Sequence, residues 1–208
     1  MPRPLRVIEP QRVYHLISRF VGREWFVESD EDRRRYLRLL GSALVACDWR
    51  CLAYAVMSNH VHLAVVAGAD PLAEWIGAVH SPFAEWINKR RERIGAVFVR
   101  GPRSIAVRPS GVASLLGYIH RNPVRARVAD QAAACDWTSH AVYAGLAARP
   151  RWLDVESGLA LAGFRDHRKF AAWVEATAID RAAVDAEDVQ QPRPHGRVLP
   201  AHRRAAGI

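Results

Sequence analysis

The chain has 208 residues, half of them hydrophobic, and a formal net charge of +9. This is enough for one hydrophobic core of about 150 residues plus an appendage, while three irregularly spaced cysteines exclude a disulfide framework. No apolar run approaches the roughly 18 residues of a membrane span and the N-terminus lacks the apolar stretch of a signal peptide, so we expect a globular cytoplasmic protein.

The first third of the chain predicts a strand, a helix and a β-hairpin. Apolar and polar residues alternate well enough over 13–20 to predict a strand. Acidic residues within 29–32 indicate the start of a helix, and apolar residues continue at helical spacing to Val45. Two β-compatible runs, 51–57 and 63–66, flank a Ser-Asn turn and so predict the hairpin.

One motif in this hairpin carries ligand chemistry. Asn59-His60-Val61-His62 places two imidazoles one residue apart on a strand, so both project from the same face. Two neutral imidazoles at that separation are a ready pair of metal ligands. Ordinary surface histidines give the same pattern, so a metal site requires a partner elsewhere in the chain.

The next elements complete the predicted sheet. A helix over 71–91 carries a buried apolar stripe, with a kink or a break expected just before Pro82. A short strand follows at 104–108. A third helix, capped by Ser110, ends around Asn122, because the residue before a proline disfavours helical dihedrals.

The element order β-α-β-β-α-β-α predicts an α+β protein with the ferredoxin-like split β-α-β arrangement. This is a four-stranded antiparallel sheet with helices on one face, here followed by a C-terminal extension. We assign 1–145 to the main domain, 146–185 to a helical extension, and 186–208 to a basic tail that we expect to be disordered. The hairpin histidines then lie on a central strand.

The positive charge belongs to one segment. Residues 87–127 contain ten basic side chains and one acidic side chain, so this segment alone carries the net charge of the whole chain. Because a guanidinium binds phosphate bidentately, the cluster favours a nucleic-acid partner over a merely solvated basic face. The predicted nucleic-acid contacts are Lys89, Arg90, Arg91, Arg93, Arg100, Arg103, Arg108, Arg121 and Arg125.

Two residues of the third helix form a second candidate half-site. Tyr118 and Asn122 are four residues apart, so they share a helix face, with Cβ atoms roughly 5–6 Å apart. Taken alone, Tyr118 is explained by a boundary tyrosine that packs its ring on the core. Asn122 alone is explained as the last residue of a helix before Pro123.

The two motifs taken together resemble a known family. Met57-Ser-Asn-His-Val-His-Leu63, followed downstream by Tyr118-Ile-His-Arg-Asn-Pro-Val124, resembles the IS200-like single-tyrosine transposases. Within them it looks most like the group associated with repetitive extragenic palindromes (REP). The similarity covers residues 10–145 and includes Asp136-Trp137-x-Ser139-His140-x-x-Tyr143.

This resemblance implies an HUH endonuclease, in which two histidines flanking a hydrophobic residue bind a divalent metal. By that likeness His60 and His62 bind Mg²⁺ or Mn²⁺ and Tyr118 is the nucleophile. Asn122 is the third ligand, at a position where relatives use a glutamine, an acid or a histidine. The implied activity is cleavage and rejoining of single-stranded DNA at palindromic, REP-like hairpins through a covalent 5′-phosphotyrosine.

Two alternatives use the same residues differently. A domesticated relative would bind DNA hairpins without cleaving them, although His60, His62 and Tyr118 are all present. A nucleotide hydrolase of the histidine-triad kind needs a third alternating histidine, and position 64 is alanine. The family likeness leaves open a monomer or a homodimer that exchanges the tyrosine helix, and implies no membrane partner.

Overall fold

The computed structural model describes residues 8–177, so 1–7 and 178–208, including the predicted basic tail, lie outside the description. The sheet has the strand order β2-β3-β1-β4, and every neighbouring pair is antiparallel. The prediction of a four-stranded antiparallel sheet is therefore confirmed, with β3 in a central position. The strands are β1 (Val13–Arg19), β2 (Arg50–Val56), β3 (His60–Val66) and β4 (Arg103–Ala106).

Helix α1 (Asp30–Val45) starts where the acidic residues predicted it. A capping box closes its first turn: Ser29 Oγ accepts from the Asp32 N–H, and the Asp32 carboxylate accepts from the Ser29 N–H. This satisfies two backbone donors that a bare helix end would leave unpaired. The predicted element order β-α-β-β-α-β-α is confirmed.

We expected a kink or a break before Pro82; helix α2 (Leu72–Arg90) runs through this residue, so a break does not occur. Proline removes one helical hydrogen bond, but both halves of the helix bury apolar side chains against the core, including Val79 before the proline and Phe83 after it. Burial of one continuous stripe therefore outweighs the local preference for a break.

The helices that connect the strands pack on one face of the sheet. Tyr36 of α1 and Phe83 of α2 meet edge to face, with ring centroids 5.2 Å apart. Phe83 in turn stacks on Phe20, whose centroid is 6.3 Å away at the end of β1. This aromatic group forms the centre of the core on that side.

The third predicted helix is divided in two. A 3-10 turn (Pro109–Gly111) precedes α3 (Val112–His120), whose N-cap is Gly111 and not the predicted Ser110. A separate short helix, α4 (Asn122–Arg125), follows with proline in its first turn. A backbone N–H in the first turn has no acceptor within the helix, so proline removes no helical hydrogen bond there. Asn122 therefore begins a helix, whereas we predicted that it would end one.

The chain after α4 covers the outer edge of β2. The Val56 N–H donates to the Trp137 carbonyl at 2.9 Å, and the Ser139 N–H donates to the Tyr54 carbonyl at 3.0 Å. Further helices are α5 (His140–Tyr143), α6 (Val155–Leu161) and α7 (His167–Ala176), with 3-10 turns at Val21–Arg23 and Ala132–Ala134. Apolar residues of this region join the main core, namely Leu153, Leu159, Phe170 and Val174.

Candidate active site

Strand β3 brings both motif histidines to one face of the sheet, as alternation predicts. The rings of His60 and His62 have centroids 4.6 Å apart and stand perpendicular, at 89°. His62 is 3% exposed, whereas His60, nearer the turn, is half-buried. The two imidazoles, which we call the cleft pair, are thus fixed by the sheet and remain reachable from one side.

Helix α3 places the predicted nucleophile against this pair. The ring centroid of Tyr118 lies 5.4 Å from that of His62, and the two rings meet edge to face at 83°. Asn122, at the start of α4, lines the same cleft as Tyr118, His60 and His62. The predicted nucleophile and the three predicted metal ligands come together within one chain.

The cleft has a volume of about 380 Å³ and a strongly basic lining. None of its lining residues is acidic, and the Arg125 guanidinium lies over the Tyr118 ring, 4.8 Å from the centroid. An anion that enters the cleft therefore meets positive charge on several sides. The remaining lining residues are Ile17, Arg19, Arg23, Asn59, Arg103 and Ala126.

The Nδ1 atom of each cleft-pair histidine has a defined hydrogen-bond partner. His60 Nδ1 lies 2.5 Å from Oδ1 of Asn59. An amide oxygen only accepts, so in this orientation of the Asn59 amide Nδ1 of His60 is the donor, and a neutral His60 then has its lone pair on Nε2. His62 Nδ1 lies 2.8 Å from Nε2 of a third histidine, His15 of β1.

The donor set fits a divalent metal ion. Within residues 8–177 no group of three His, Cys, Asp or Glu side chains is placed to bind a metal, so a third protein ligand would be of another type, and the cleft offers the Asn122 amide. Nδ2 of Asn122 is buried without a hydrogen-bond partner in the described part of the chain. Rotating this amide by half a turn puts its oxygen at the same place, and imidazole nitrogens with an amide oxygen are suitable ligands for Mn²⁺ or Mg²⁺.

Two of the nine predicted nucleic-acid contacts, Arg103 and Arg125, line the cleft. Arg121 instead donates to the main-chain carbonyls of Val174 and Glu175, at 2.9 and 2.6 Å, and so fastens the start of α4 to the end of α7. The other predicted contacts also lie away from the cleft lining: Lys89, Arg90, Arg91, Arg93, Arg100 and Arg108.

Three residues of this region were missed by sequence reasoning. Arg19 of β1 and Arg23 of the following 3-10 turn line the cleft, and His15 of β1 contacts His62 from outside the lining. In the β1–β3 register Arg19 is opposite His60, and Ile17 is opposite His62. The alternation of 15, 17 and 19 was visible in the sequence, but the pairing of these two strands was not.

A second pair of histidines, which we call the enclosed pair, lies outside the cleft and is fully buried. His120 Nε2 is 2.8 Å from Ser139 Oγ, and His140 Nδ1 is 3.2 Å from His120 Nδ1. Burial, reinforced by His140, holds the pKa of His120 well below its ordinary value. Burial also lowers the pKa of His140, although Glu175, 3.5 Å from its Nε2, opposes this.

Neither a protein-family model nor a curated protein matches this sequence. Among solved structures, a REP-associated tyrosine transposase bound to a REP hairpin aligns with a TM-score of 0.58 and 14% identity, over 74% of this chain and 93% of that chain. The chain has the fold of that transposase. The likeness drawn from the two motifs is thus confirmed at the level of the fold, as is the α+β class.

Two other solved structures give lower scores than the transposase. A transposase candidate from Deinococcus radiodurans R1 has a TM-score of 0.41 at 18% identity, over 58% of this chain and 97% of that one. A bacterial tRNA(His) guanylyltransferase-like protein in complex with GTP has 0.40 at 10%, over 57% and 67%. Separately, no helix between residues 8 and 177 is long and apolar enough to cross a membrane.

Proposed function

We propose that this protein cleaves and rejoins single-stranded DNA at palindromic, REP-like hairpins, with Tyr118 as the nucleophile. The observation that carries the proposal is the position of the Tyr118 ring, 5.4 Å from that of His62 in a basic cleft of one chain. A hairpin substrate is supported by the transposase of the same fold, which was solved with a REP hairpin.

The proposed reaction exchanges one phosphate ester bond for another. The Tyr118 oxygen attacks the phosphorus of the scissile phosphodiester and loses its proton, while the bond from phosphorus to the 3′ oxygen breaks. The leaving strand takes up a proton and ends in a 3′-hydroxyl, and the 5′ phosphate stays on Tyr118. A 3′-hydroxyl can reverse these steps and rejoin DNA without ATP, because the number of ester bonds never changes.

Cleft side chains act on the nucleophile and on the phosphates. The Arg125 guanidinium, 4.8 Å from the Tyr118 centroid, stabilises negative charge that develops on the phenol oxygen. Arg19, Arg23 and Arg103 bind the DNA backbone around the scissile phosphate. A divalent ion held by the cleft pair and Asn122 would stabilise charge on the phosphate oxygens.

The shape of the site favours a single strand over a duplex. Tyr118 is 8% exposed, so its hydroxyl is reached only by a phosphate that enters the cleft. A paired, stacked strand cannot bend into such a cleft without unpairing. Trp25 is 64% exposed and follows the cleft arginine Arg23 by two residues, which makes it a candidate platform for an unpaired base.

A covalent-adduct assay tests the proposal directly. Full-length protein is incubated with Mn²⁺ and a single-stranded hairpin oligonucleotide labelled at its 3′ end, and labelled protein is detected on a denaturing gel. We expect an adduct with the unmodified protein and none with Tyr118→Phe. Tyr54→Phe is the matched control, because this buried tyrosine packs on Trp152 outside the cleft and should leave the adduct unchanged.

Two results would contradict catalysis by Tyr118. One is an undiminished adduct in Tyr118→Phe, and the other is no adduct with either Mn²⁺ or Mg²⁺ on any hairpin. The second result, combined with tight hairpin binding in EDTA, would support the domesticated, noncatalytic binder. The same oligonucleotides therefore separate the two functions.

A further inference from the structure

His15 is buried directly behind the cleft pair. It is 1% exposed, its Nε2 lies 2.8 Å from Nδ1 of His62, and the two rings stack with centroids 5.0 Å apart. Its ring also meets Tyr118 edge to face at 5.9 Å. In the β1–β3 register His15 is opposite Ala64, so it reaches His62 along the diagonal of the strand pair.

The 2.8 Å contact can form in two ways with opposite consequences for metal binding. If His62 Nδ1–H donates to His15 Nε2, then Nε2 of His62 keeps a lone pair. If His15 Nε2–H donates instead, His62 carries its proton on Nε2 and cannot coordinate through that atom. Which histidine donates therefore decides whether His62 is able to act as a ligand.

We propose that His15 is a positioning residue that accepts the Nδ1 proton of His62 and so holds Nε2 of His62 ready to bind the divalent ion. This rests on the proposed function of the cleft. His15 would act as Asn59 does for His60, so that each member of the cleft pair has its own acceptor behind it. It is not counted among the metal ligands, since its Nε2 is engaged with Nδ1 of His62.

The use of histidine at this position has an electrostatic reason. A carboxylate is the usual acceptor behind a metal-binding histidine, but here it would put a buried negative charge beside Tyr118. Such a charge would oppose both the developing phenolate and the DNA phosphate. A neutral imidazole accepts the same proton without that repulsion.

The first measurement is the tautomer of His62 in the metal-free, full-length protein. Long-range ¹H–¹⁵N correlation spectra of the imidazole rings, recorded at about pH 8 so that ordinary histidines are neutral, distinguish a proton on Nδ1 from one on Nε2. The His62 signals are assigned by their loss in His62→Ala. We expect the Nδ1–H form, and a protein with the Nε2–H form would overturn the proposal whatever any variant does.

Two substitutions then test the role of the acceptor. Gln at position 15 can place its amide oxygen where Nε2 was, whereas Leu has no acceptor. We expect His15→Leu to show a mixture of His62 tautomers and to bind Mn²⁺ about 10–100-fold more weakly, and His15→Gln to restore both properties. His80→Leu is the control for loss of a buried histidine, since His80 stacks on Phe98 outside the cleft.

The outcomes separate this inference from the proposed function. Unchanged Mn²⁺ affinity in His15→Leu would overturn the role of His15, even if the DNA adduct forms normally. A weakened Mn²⁺ affinity in His15→Leu, restored in His15→Gln, would support it even if no adduct ever forms. If His15→Leu fails to fold, the tautomer of the unmodified protein and the affinity of His15→Gln decide the matter.

Discussion

The cleft pair and the enclosed pair of histidines show how the same residue type forms a candidate site in one place and a structural element in another. His60 and His62 line an open, basic cleft beside a tyrosine. His120 and His140 are fully buried, and their contacts link α3 and α5 to the sheet through Ser139. The difference lies in access and not in composition.

The enclosed pair belongs to a chain of residues in the same order as the catalytic relay of a hydrolase. Ser139, His120, His140 and Glu175 form one chain of contacts from a hydroxyl to a carboxylate. Yet Ser139 Oγ already accepts from the Tyr54 N–H, and both imidazoles are 0% exposed, so a substrate has no path to the hydroxyl. Residue order without an entrance does not make an active site.

The largest contrast should appear in Mn²⁺ affinity. We expect His62→Ala to weaken Mn²⁺ binding by about 100-fold or more, measured by titration calorimetry on the full-length protein, because loss of an outer partner alone typically weakens binding 10–100-fold. The DNA adduct should disappear in parallel.

His140→Ala is the matched substitution in the enclosed pair. It should leave Mn²⁺ affinity unchanged and lower the free energy of unfolding by about 2–3 kcal/mol, through a cavity and a lost hydrogen bond. Both variants lose a buried ring, so stability alone does not distinguish them. Equal loss of Mn²⁺ affinity in both would remove the distinction between the two pairs.

The next contrast concerns stability at acid pH. His80, another buried histidine outside both pairs, reports most simply on the effect of burial. Burial lowers the pKa of His80 from its ordinary 6.5 to about 4. The unfolded chain therefore binds a proton at a pH where the folded protein does not, and stability is highest above pH 6.5 and falls towards pH 4.

His80→Phe keeps a ring against Phe98 and removes this titration. Chemical denaturation at several pH values should show a free energy of unfolding that falls less steeply in the variant, by up to about 1.4 kcal/mol per pH unit between these limits. Identical pH dependence in the two proteins would show that folding does not change the pKa of His80.

The smallest effect is expected for single cleft arginines. Arg23→Gln should weaken hairpin binding and reduce the slope of log affinity against log salt by about 0.7, the value for one contact with a single strand. Arg149→Gln is the control, since this exposed guanidinium pairs with Glu156 away from the cleft. Fluorescence anisotropy in EDTA, over a range of salt concentrations, measures both the affinity and its salt dependence. Equal slopes for Arg23→Gln and the unmodified protein would argue against DNA in the cleft.

Local patterns were enough to predict the sheet and two of the helices. Alternation located β1 and the hairpin, and the acidic first turn located α1. The continuity of α2 through Pro82 and the new helix that begins at Asn122 were not predictable in this way. They depend on how apolar faces pack, which local propensity does not contain.

The site divides along a similar line. His60 with His62, and Tyr118 with Asn122, could be predicted because each pair is local in sequence and the two motifs together resemble a known family. His15 was missed because it meets His62 only through the pairing of two strands that are far apart in the chain. The basic segment shows the same limit, since sequence alone does not separate Arg125, which lines the cleft, from Arg121, which donates to a carbonyl of α7.

The cover over the edge of β2 has a consequence for where this chain can be shortened. An uncovered strand edge is a template for pairing with other chains and a route to aggregation. Here the Trp137 and Ser139 backbone, and further along Leu153, bridge to β2 and occupy that edge. A protein cut after residue 145 would lose the Leu153 bridge and the α7 carbonyls that hold Arg121, so the shortest well-behaved fragment should extend through Ala176.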